Sequence, residues 1–204
     1  MTQYNCKSIG LTGGIATGKS TVSNHIKEKN YIVIDADKIS REVLDIGKPA
    51  YEDVVETFGL KILLEDGTIN RKKLGRLIFS SKSLRNALNN IVHPYILQEI
   101  KRQFTQSCRD NKIIFLDIPL LVEMYDMIKS FNIKLDEIWL VYADRKSQLD
   151  RLMKRDGLLE ADALDRINAQ LDTKLKKRYA TRIIYNNGDI DLLKKNVDEY
   201  LALL

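Results

Sequence analysis

Along the chain, short and continuously apolar runs alternate with longer stretches in which apolar residues recur every three or four positions. The first run, Ser8-Ile9-Gly10-Leu11-Thr12, stops at Gly13-Gly14, as a buried strand entering a turn does. Tyr31-Ile32-Val33-Ile34 is a second run and ends at Asp35-Ala36-Asp37. Lys112 to Asp117, Glu137 to Tyr142 and Arg182 to Tyr185 are three more. These runs do not alternate apolar with polar, which fits strands covered on both faces. Helical periodicity separates most of them: Val22 and Ile26 mark one face of a helix beginning near Gly18, and a last helix is predicted over about Asp191 to Leu203. Strands alternating with helices predict a parallel α/β sheet. The stretch between the second and third strands reads as nearly all helical, with Gly47-Lys48-Pro49 and Glu65-Asp66-Gly67 as turns. An insertion there sits beside the ligand crevice of an open α/β sheet.

The first strand-to-helix junction carries the chemistry. Gly13-Gly14-Ile15-Ala16-Thr17-Gly18-Lys19-Ser20 fits G-x-x-x-x-G-K-[ST] at every fixed position. Its glycines let successive backbone N–H groups face a phosphate chain, and the helix that follows adds positive charge at its N-terminus. Lys19 is placed to bridge the β- and γ-phosphates, Ser20 to ligand Mg²⁺, and Thr21 to reach the α-phosphate. With Gly at about 7% of residues, the pattern arises by chance in roughly one chain of this length in a hundred. Ala16 is the one position of note, because a residue with a Cβ favours negative φ.

Composition narrows the partners. The 204 residues are 44% hydrophobic and 30% charged, an ordinary globular balance that excludes disorder. No apolar run approaches the roughly 18–20 residues of a membrane span, and Met1 to Gly10 has no export-signal pattern. Cys6 and Cys108 match neither a disulfide framework nor zinc spacing, so they are expected to be small core residues in a cytoplasmic protein. The net charge is +5, and four of those charges lie in Arg145 to Arg178, which holds ten Lys/Arg against six acids. No nucleic-acid-binding module or aromatic interleaving accompanies them, so phosphorylated small molecules are the expected partners.

A phosphate-binding loop alone does not choose among triphosphate-using classes. The chain lacks the DxxG and N-K-x-D elements of GTPase switches, and motor-type ATPases are larger. A small kinase remains, needing a base for the acceptor hydroxyl and cations over the transferring phosphoryl group. Asp35 and Asp37 follow the second strand and would share a face if it continued; capping of a helix from Lys38 onward is the other reading. Asp117 ends the third strand, where a metal-organising carboxylate or a turn former belongs. Arg151 and Arg155, four apart, would share a helix side opposite Leu149, Leu152 and Met153, as a mobile basic lid or as a solvated face.

Taken together the residues resemble the dephospho-CoA kinase family. The resemblance rests on Gly10-Leu11-Thr12-Gly13-Gly14-Ile15 into Gly18-Lys19-Ser20-Thr21, Ile34-Asp35-Ala36-Asp37 with Arg41, and Asp66-Gly67 with Arg71. It continues through His93-Pro94, Asp117-Ile118-Pro119-Leu120-Leu121 with Glu123, and Gln148-Leu149 with Arg151. Arg155-Asp156-Gly157, Gln170 and Asn186-Asn187-Gly188 complete it, so it spans essentially the whole chain. It implies a three-layer α/β/α P-loop fold with a five-stranded parallel sheet. The core would comprise residues 1–36, 110–144 and 179–204, the helical CoA-binding insertion 37–109 and the lid 145–178.

It also implies ATP- and Mg²⁺-dependent phosphorylation of the ribose 3′-hydroxyl of dephospho-CoA, giving CoA and ADP. Asp37 would be the base, Lys19 and the loop Gly13 to Thr21 would bind ATP phosphates, and Arg151 and Arg155 would belong to the lid. Asn187 would hold adenine, while Asp35, Arg41, His93 and Asp117 would face the acceptor. Two departures stand out: the family usually has Gly at position 16, and Ala-Asp where this chain has Ala180-Thr181, which puts a nucleobase or lid contact in question. His25 reads as a surface residue of the first helix. A monomer is expected, with no nucleic acid and no membrane as partner. The alternatives are a P-loop kinase for a nucleoside monophosphate or shikimate-like acceptor, and a non-catalytic ATP-binding regulator.

Overall fold

The computed structural model describes residues 6–79 and 81–204. The expectation of no export signal rests partly on residues 1–5, which lie outside the described residues. In chain order the elements are β1 (Lys7–Gly13), α1 (Lys19–Glu28), β2 (Ile32–Asp35), α2 (Ala36–Glu42), α3 (Pro49–Phe58) and a single 3₁₀ turn (Leu60–Ile62). Then come α4 (Arg71–Phe79), α5 (Lys82–Ser107), β3 (Ile113–Asp117), α6 (Tyr125–Ser130) and β4 (Glu137–Tyr142). The chain ends with α7 (Arg145–Asp156), α8 (Glu160–Asn168), α9 (Thr173–Tyr179), β5 (Arg182–Tyr185) and α10 (Ile190–Leu201). No described helix is long and apolar enough to cross a membrane.

Five strands form one sheet in the order β2-β3-β1-β4-β5, in a three-layer α/β arrangement. β1 pairs in parallel with both β3 and β4, and β4 with β5. From Ser8 to Gly13, β1 is buried without interruption, which is why its sequence reads as a continuous run. On one face Val22 and Ile26 of α1 and Leu193, Val197 and Leu201 of α10 close over the sheet. Trp139 of β4 is fully buried there, edge-on to Phe115 at 5.2 Å and to Tyr200 at 5.7 Å.

The chain divides into two compact units, one of residues up to Ile34 with Phe104–Leu204, the other Asp35–Gln103. The second unit is helical around Val54, Phe58, Ile62, Leu74 and Leu97, and Gly47 and Gly67 turn with φ of 80° and 81°. Pro94 lies inside α5 and lacks the N–H that the helix ladder calls for.

Two expectations about isolated residues are corrected. Cys6 and Cys108 form a disulfide, with Cα atoms 5.3 Å apart, within the range a bridge spans. They are 102 residues apart, and only the return of α5 toward the start of β3, beside β1, brings them together. His25 is buried, not at the surface: its Nε2 lies 2.8 Å from Asp198 of α10, a contact no local pattern reveals.

At the amino-terminal edge of the sheet, Glu137 is held by Arg182 and the Trp139 indole N–H, each at 2.8 Å, and by Lys7 at 2.6 Å. Burial alone would raise the Glu137 pKa, but the bonds from Arg182, Lys7 and Trp139 outweigh it and lower the value from 4.5 to about 2. A lowered folded-state pKa contributes stability above the unfolded value, and that contribution fades as pH falls from about 4.5 toward 2. Glu137→Gln is therefore expected to cost about 2–3 kcal/mol at pH 7, with the gap to the parent protein narrowing near pH 3. Urea unfolding at both pH values measures this; a gap independent of pH would remove Glu137 from the acid response.

Candidate nucleotide-binding site

The loop between β1 and α1 has no ladder of its own, and side chains from distant segments hold it. Thr17 is buried and closes the loop on itself, its Oγ1 donating to the Gly14 carbonyl at 2.8 Å. Asn186, directly after β5, donates through Nδ2 to the Thr17 carbonyl at 2.8 Å. Arg151 of α7 in turn donates to the Asn186 carbonyl at 2.9 Å. Gly18 leaves room for this brace: its φ is 90°, and a Cβ there would run into Asn186 Nδ2. Ala16 also takes a left-handed φ, 58°, contrary to the preference for negative φ read from its Cβ. A residue with a Cβ accepts that conformation at a cost of about 1–2 kcal/mol, which explains why glycine suits the position.

Lys19 Nζ lies 2.6 Å from Asp117 Oδ1, joining the first residue of α1 to the last of β3. Asp117 is buried and Lys19 mostly so, which strengthens the attraction. Ser20 is exposed in the first turn of α1, and Thr21 follows with its N–H on the Gly18 carbonyl at 3.0 Å. Ile15 N–H is engaged by Gln170 Oε1 at 2.7 Å, so the segment after α8 reaches back to the loop. Asn187 accepts the Asp144 N–H at 2.9 Å, tying the loop after β5 to the start of α7.

A cavity of about 450 Å³ opens beside Gly14. Gln148, Gln170, Tyr142, Arg145, Lys174 and Lys177 are among its lining residues. Lys177 is set over the Tyr142 ring with its Nζ 3.8 Å from the centroid, a cation–π contact that fixes the ammonium in place. Arg151 and Arg155 do not present a common bare face. Arg151 turns to Asn186, whereas exposed Arg155 pairs with its neighbour Asp156 at 2.7 Å, and Arg166 joins the same carboxylate at 3.0 Å.

In the helical unit, Asp35 caps α2, accepting the Lys38 N–H at 3.0 Å. The strand stops there, so Asp37 does not continue it but sits exposed in the first turn of α2. Arg41 lies in the last turn of α2, and its carbonyl accepts a bond from Arg71 at 3.0 Å. His93 is half-buried on α5, and burial lowers its pKa, favouring the neutral ring. This unit has its own cavity of about 580 Å³, with Val43, Lys48, Pro49, Ala50, Tyr95 and Arg102 in its walls.

Thr181 lies outside all of this. Its hydroxyl bonds both the N–H and the carbonyl of Ile138 at 3.0 Å, at the start of β4 and β5, the edge of the sheet opposite the phosphate loop. The concern that its replacement of an acid disturbs nucleobase or lid contacts is not supported by this position. Asn186, Gln148 and Gln170 were recognisable only as parts of the family pattern. Nothing local marks an amide side chain as a loop brace.

Gly18→Ala is expected to weaken ADP binding by at least about 10-fold, because the strained φ and the collision with Asn186 both distort the loop. Calorimetric titration with ADP checks it, and wild-type affinity would mean that the loop does not need this close approach.

The sequence pattern of the dephospho-CoA kinases matches residues 7–191. The chain is 43% identical to the dephospho-CoA kinase of Carboxydothermus hydrogenoformans over 190 residues, covering 93% of this chain and 90% of that protein. It is 44% identical to the Bacillus cereus enzyme over 183 residues, 89% of each chain. Among solved structures, the dephospho-CoA kinase of Campylobacter jejuni superposes with a TM-score of 0.66 at 28% identity, covering 97% of this chain and 96% of that one. A shikimate kinase from Bacteroides thetaiotaomicron, 18% identical over 97% of both chains with a TM-score of 0.51, shares the fold alone. With a phosphate loop braced as described and a match that runs from β1 into α10, this chain belongs to the dephospho-CoA kinase family.

Proposed function

We propose that this chain carries out its family's reaction, ATP-dependent phosphorylation of dephospho-CoA in coenzyme A biosynthesis, with the ribose 3′-hydroxyl as acceptor. The observation that carries the proposal is the phosphate loop with Lys19 on Asp117, in a chain that matches the family nearly end to end. The 3′-oxygen forms a bond to the γ-phosphorus of ATP as the bond from that phosphorus to the β,γ-bridging oxygen breaks. The hydroxyl proton passes to the Asp37 carboxylate, and ADP departs. Asp37 suits this role as an exposed carboxylate in the first turn of α2, directly after β2.

The charges of the transferring group fall to the loop amides and to Lys19, which exchanges part of its hold on Asp117 for phosphate oxygens. Mg²⁺ fits the donors present: the Ser20 hydroxyl and the Asp117 carboxylate are hard oxygen ligands of the kind it prefers. When bound it neutralises phosphate charge. Arg151 steadies the loop through Asn186, and in this reading the neighbouring Asn187 meets adenine. The helical unit takes the acceptor, its cavity offering Val43, Pro49 and Tyr95 to the apolar arm and Lys48 and Arg102 to phosphate, with Asp35, Arg41 and His93 in the same unit. Arg155 completes the lid when its pairing with Asp156 is exchanged for phosphate. We take the enzyme to act in the cytoplasm as a monomer.

The test is coupled ADP release with ATP and Mg²⁺, with and without dephospho-CoA, beside nucleoside monophosphates and shikimate. Release that requires dephospho-CoA, with CoA detected as product, is the expected outcome; turnover only with another acceptor would discard the acceptor assignment. Asp37→Asn is expected to lower kcat by about 10²–10⁴-fold with ATP binding retained, the size of a general-base contribution. An unchanged rate would remove Asp37 from the mechanism.

A further inference from the structure

Gln170 is a residue that the mechanism above does not use, yet its side chain joins the segment between α8 and α9 to the phosphate loop. Its main chain is fixed from both sides. Arg145 at the start of α7 donates to Asn168 at the end of α8 at 2.7 Å, and Asp172 caps α9 by accepting the Lys174 N–H at 2.8 Å. The orientation of the side-chain amide is equally determined. Ile15 N–H can only donate, so the oxygen of Gln170 faces it at 2.7 Å, and the NH₂ of the same planar group must point elsewhere. Gln170 also lines the cavity beside Gly14, together with Arg145, Lys174 and Lys177. Gly14 has no side chain to separate them: a Cβ there would lie 3.5 Å from Gln170 Oε1 and 3.3 Å from Gln148 Oε1.

We propose that Gln170 positions the transferring phosphoryl group, anchoring its carbonyl on Ile15 N–H and donating its NH₂ to a γ-phosphoryl oxygen. The inference rests on the reading of this loop as the ATP site. A neutral amide is the side chain that meets both demands at once, since it accepts from the loop and donates to an anion without bringing charge of its own. Because the donor sits on the segment joining α8 to α9, closure of that segment and stabilisation of the transferring group become one event.

Gln170→Glu and Gln170→Ala separate this from a merely structural brace. Glu keeps an acceptor for Ile15 N–H but replaces the donor with a negative charge, whereas Ala removes both. Both variants are expected to lower kcat on the order of 10²-fold, the usual cost of one lost donor to developing charge, with ADP affinity kept. A non-hydrolysable ATP analogue should lose its advantage in affinity over ADP in both. If Gln170→Glu retains wild-type kcat, only the bond to Ile15 matters and the proposal fails. It fails equally if ADP affinity falls together with kcat in both variants, or if neither variant changes anything. Should the wild-type protein not phosphorylate dephospho-CoA, the acceptor assignment falls, while the analogue-to-ADP affinity ratio still tests Gln170.

Discussion

A loop that offers its backbone amides to a ligand gives up the hydrogen bonds that would otherwise hold it, so other groups must hold it. In this chain that constraint falls on Asn186 and Gln170, which take the Thr17 carbonyl and the Ile15 N–H. Both are amides, and neither carries a charge that would compete with phosphate. The close approach of Asn186 requires Gly18 to lack a side chain, so the second glycine of the motif serves the brace as much as the ligand. Thr17, buried and bonded to Gly14, completes the frame without contributing a polar side chain to the open face.

The sheet order explains how residues so distant in sequence converge. β1 lies at the centre, with β3 and β4 as its parallel neighbours, so the ends of all three strands emerge together at one edge. Asp117 is the last residue of β3, Gln148 lies on the helix that follows β4, and Asn186 follows β5 directly. The carboxyl edge thus collects the phosphate loop, its ion-pair partner and its brace, where open α/β sheets bind ligands. The opposite edge is given to stability: Lys7, Glu137, Trp139 and Arg182 interlock there, and Thr181 closes the start of β5.

The elements legible in the sequence are those fixed by local rules. Continuous apolar runs marked all five strands, although only β1, β3 and β4 are buried nearly throughout, and the glycine spacing marked the phosphate loop. What escaped depends on partners far along the chain. Asp35 and Asp37 stay open in the sequence between a continued strand and a helix cap; Asp35 caps a helix that begins at Ala36, two residues earlier than its apolar pattern suggests. His25 looks like a surface residue of α1 until Asp198, 173 positions later, is beside it. Cys6 and Cys108 match no motif because their pairing follows from the path of α5 into β3. Arg151 and Arg155 share a helix side by spacing, yet Asn186 draws one inward and Asp156 holds the other at the surface.

That division among cations changes what the basic segment can do. Ten basic residues between Arg145 and Arg178 suggest a uniform field over bound phosphates, but some of them are already paired with acids. Asp156 takes Arg155 and Arg166, and Glu123 takes the buried Lys176 at 2.8 Å. Arg145 is spent on Asn168, though its guanidinium still borders the cavity that Lys174 and Lys177 share. Arg155, Arg166 and Lys176 must therefore exchange a carboxylate for a phosphate before they contribute. A triphosphate offers several oxygens at once and can make that exchange worthwhile for several cations together, whereas a single phosphate cannot. Selection of a polyanionic ligand by Arg155, Arg166 and Lys176 therefore depends on Asp156 and Glu123 as much as on the cations themselves.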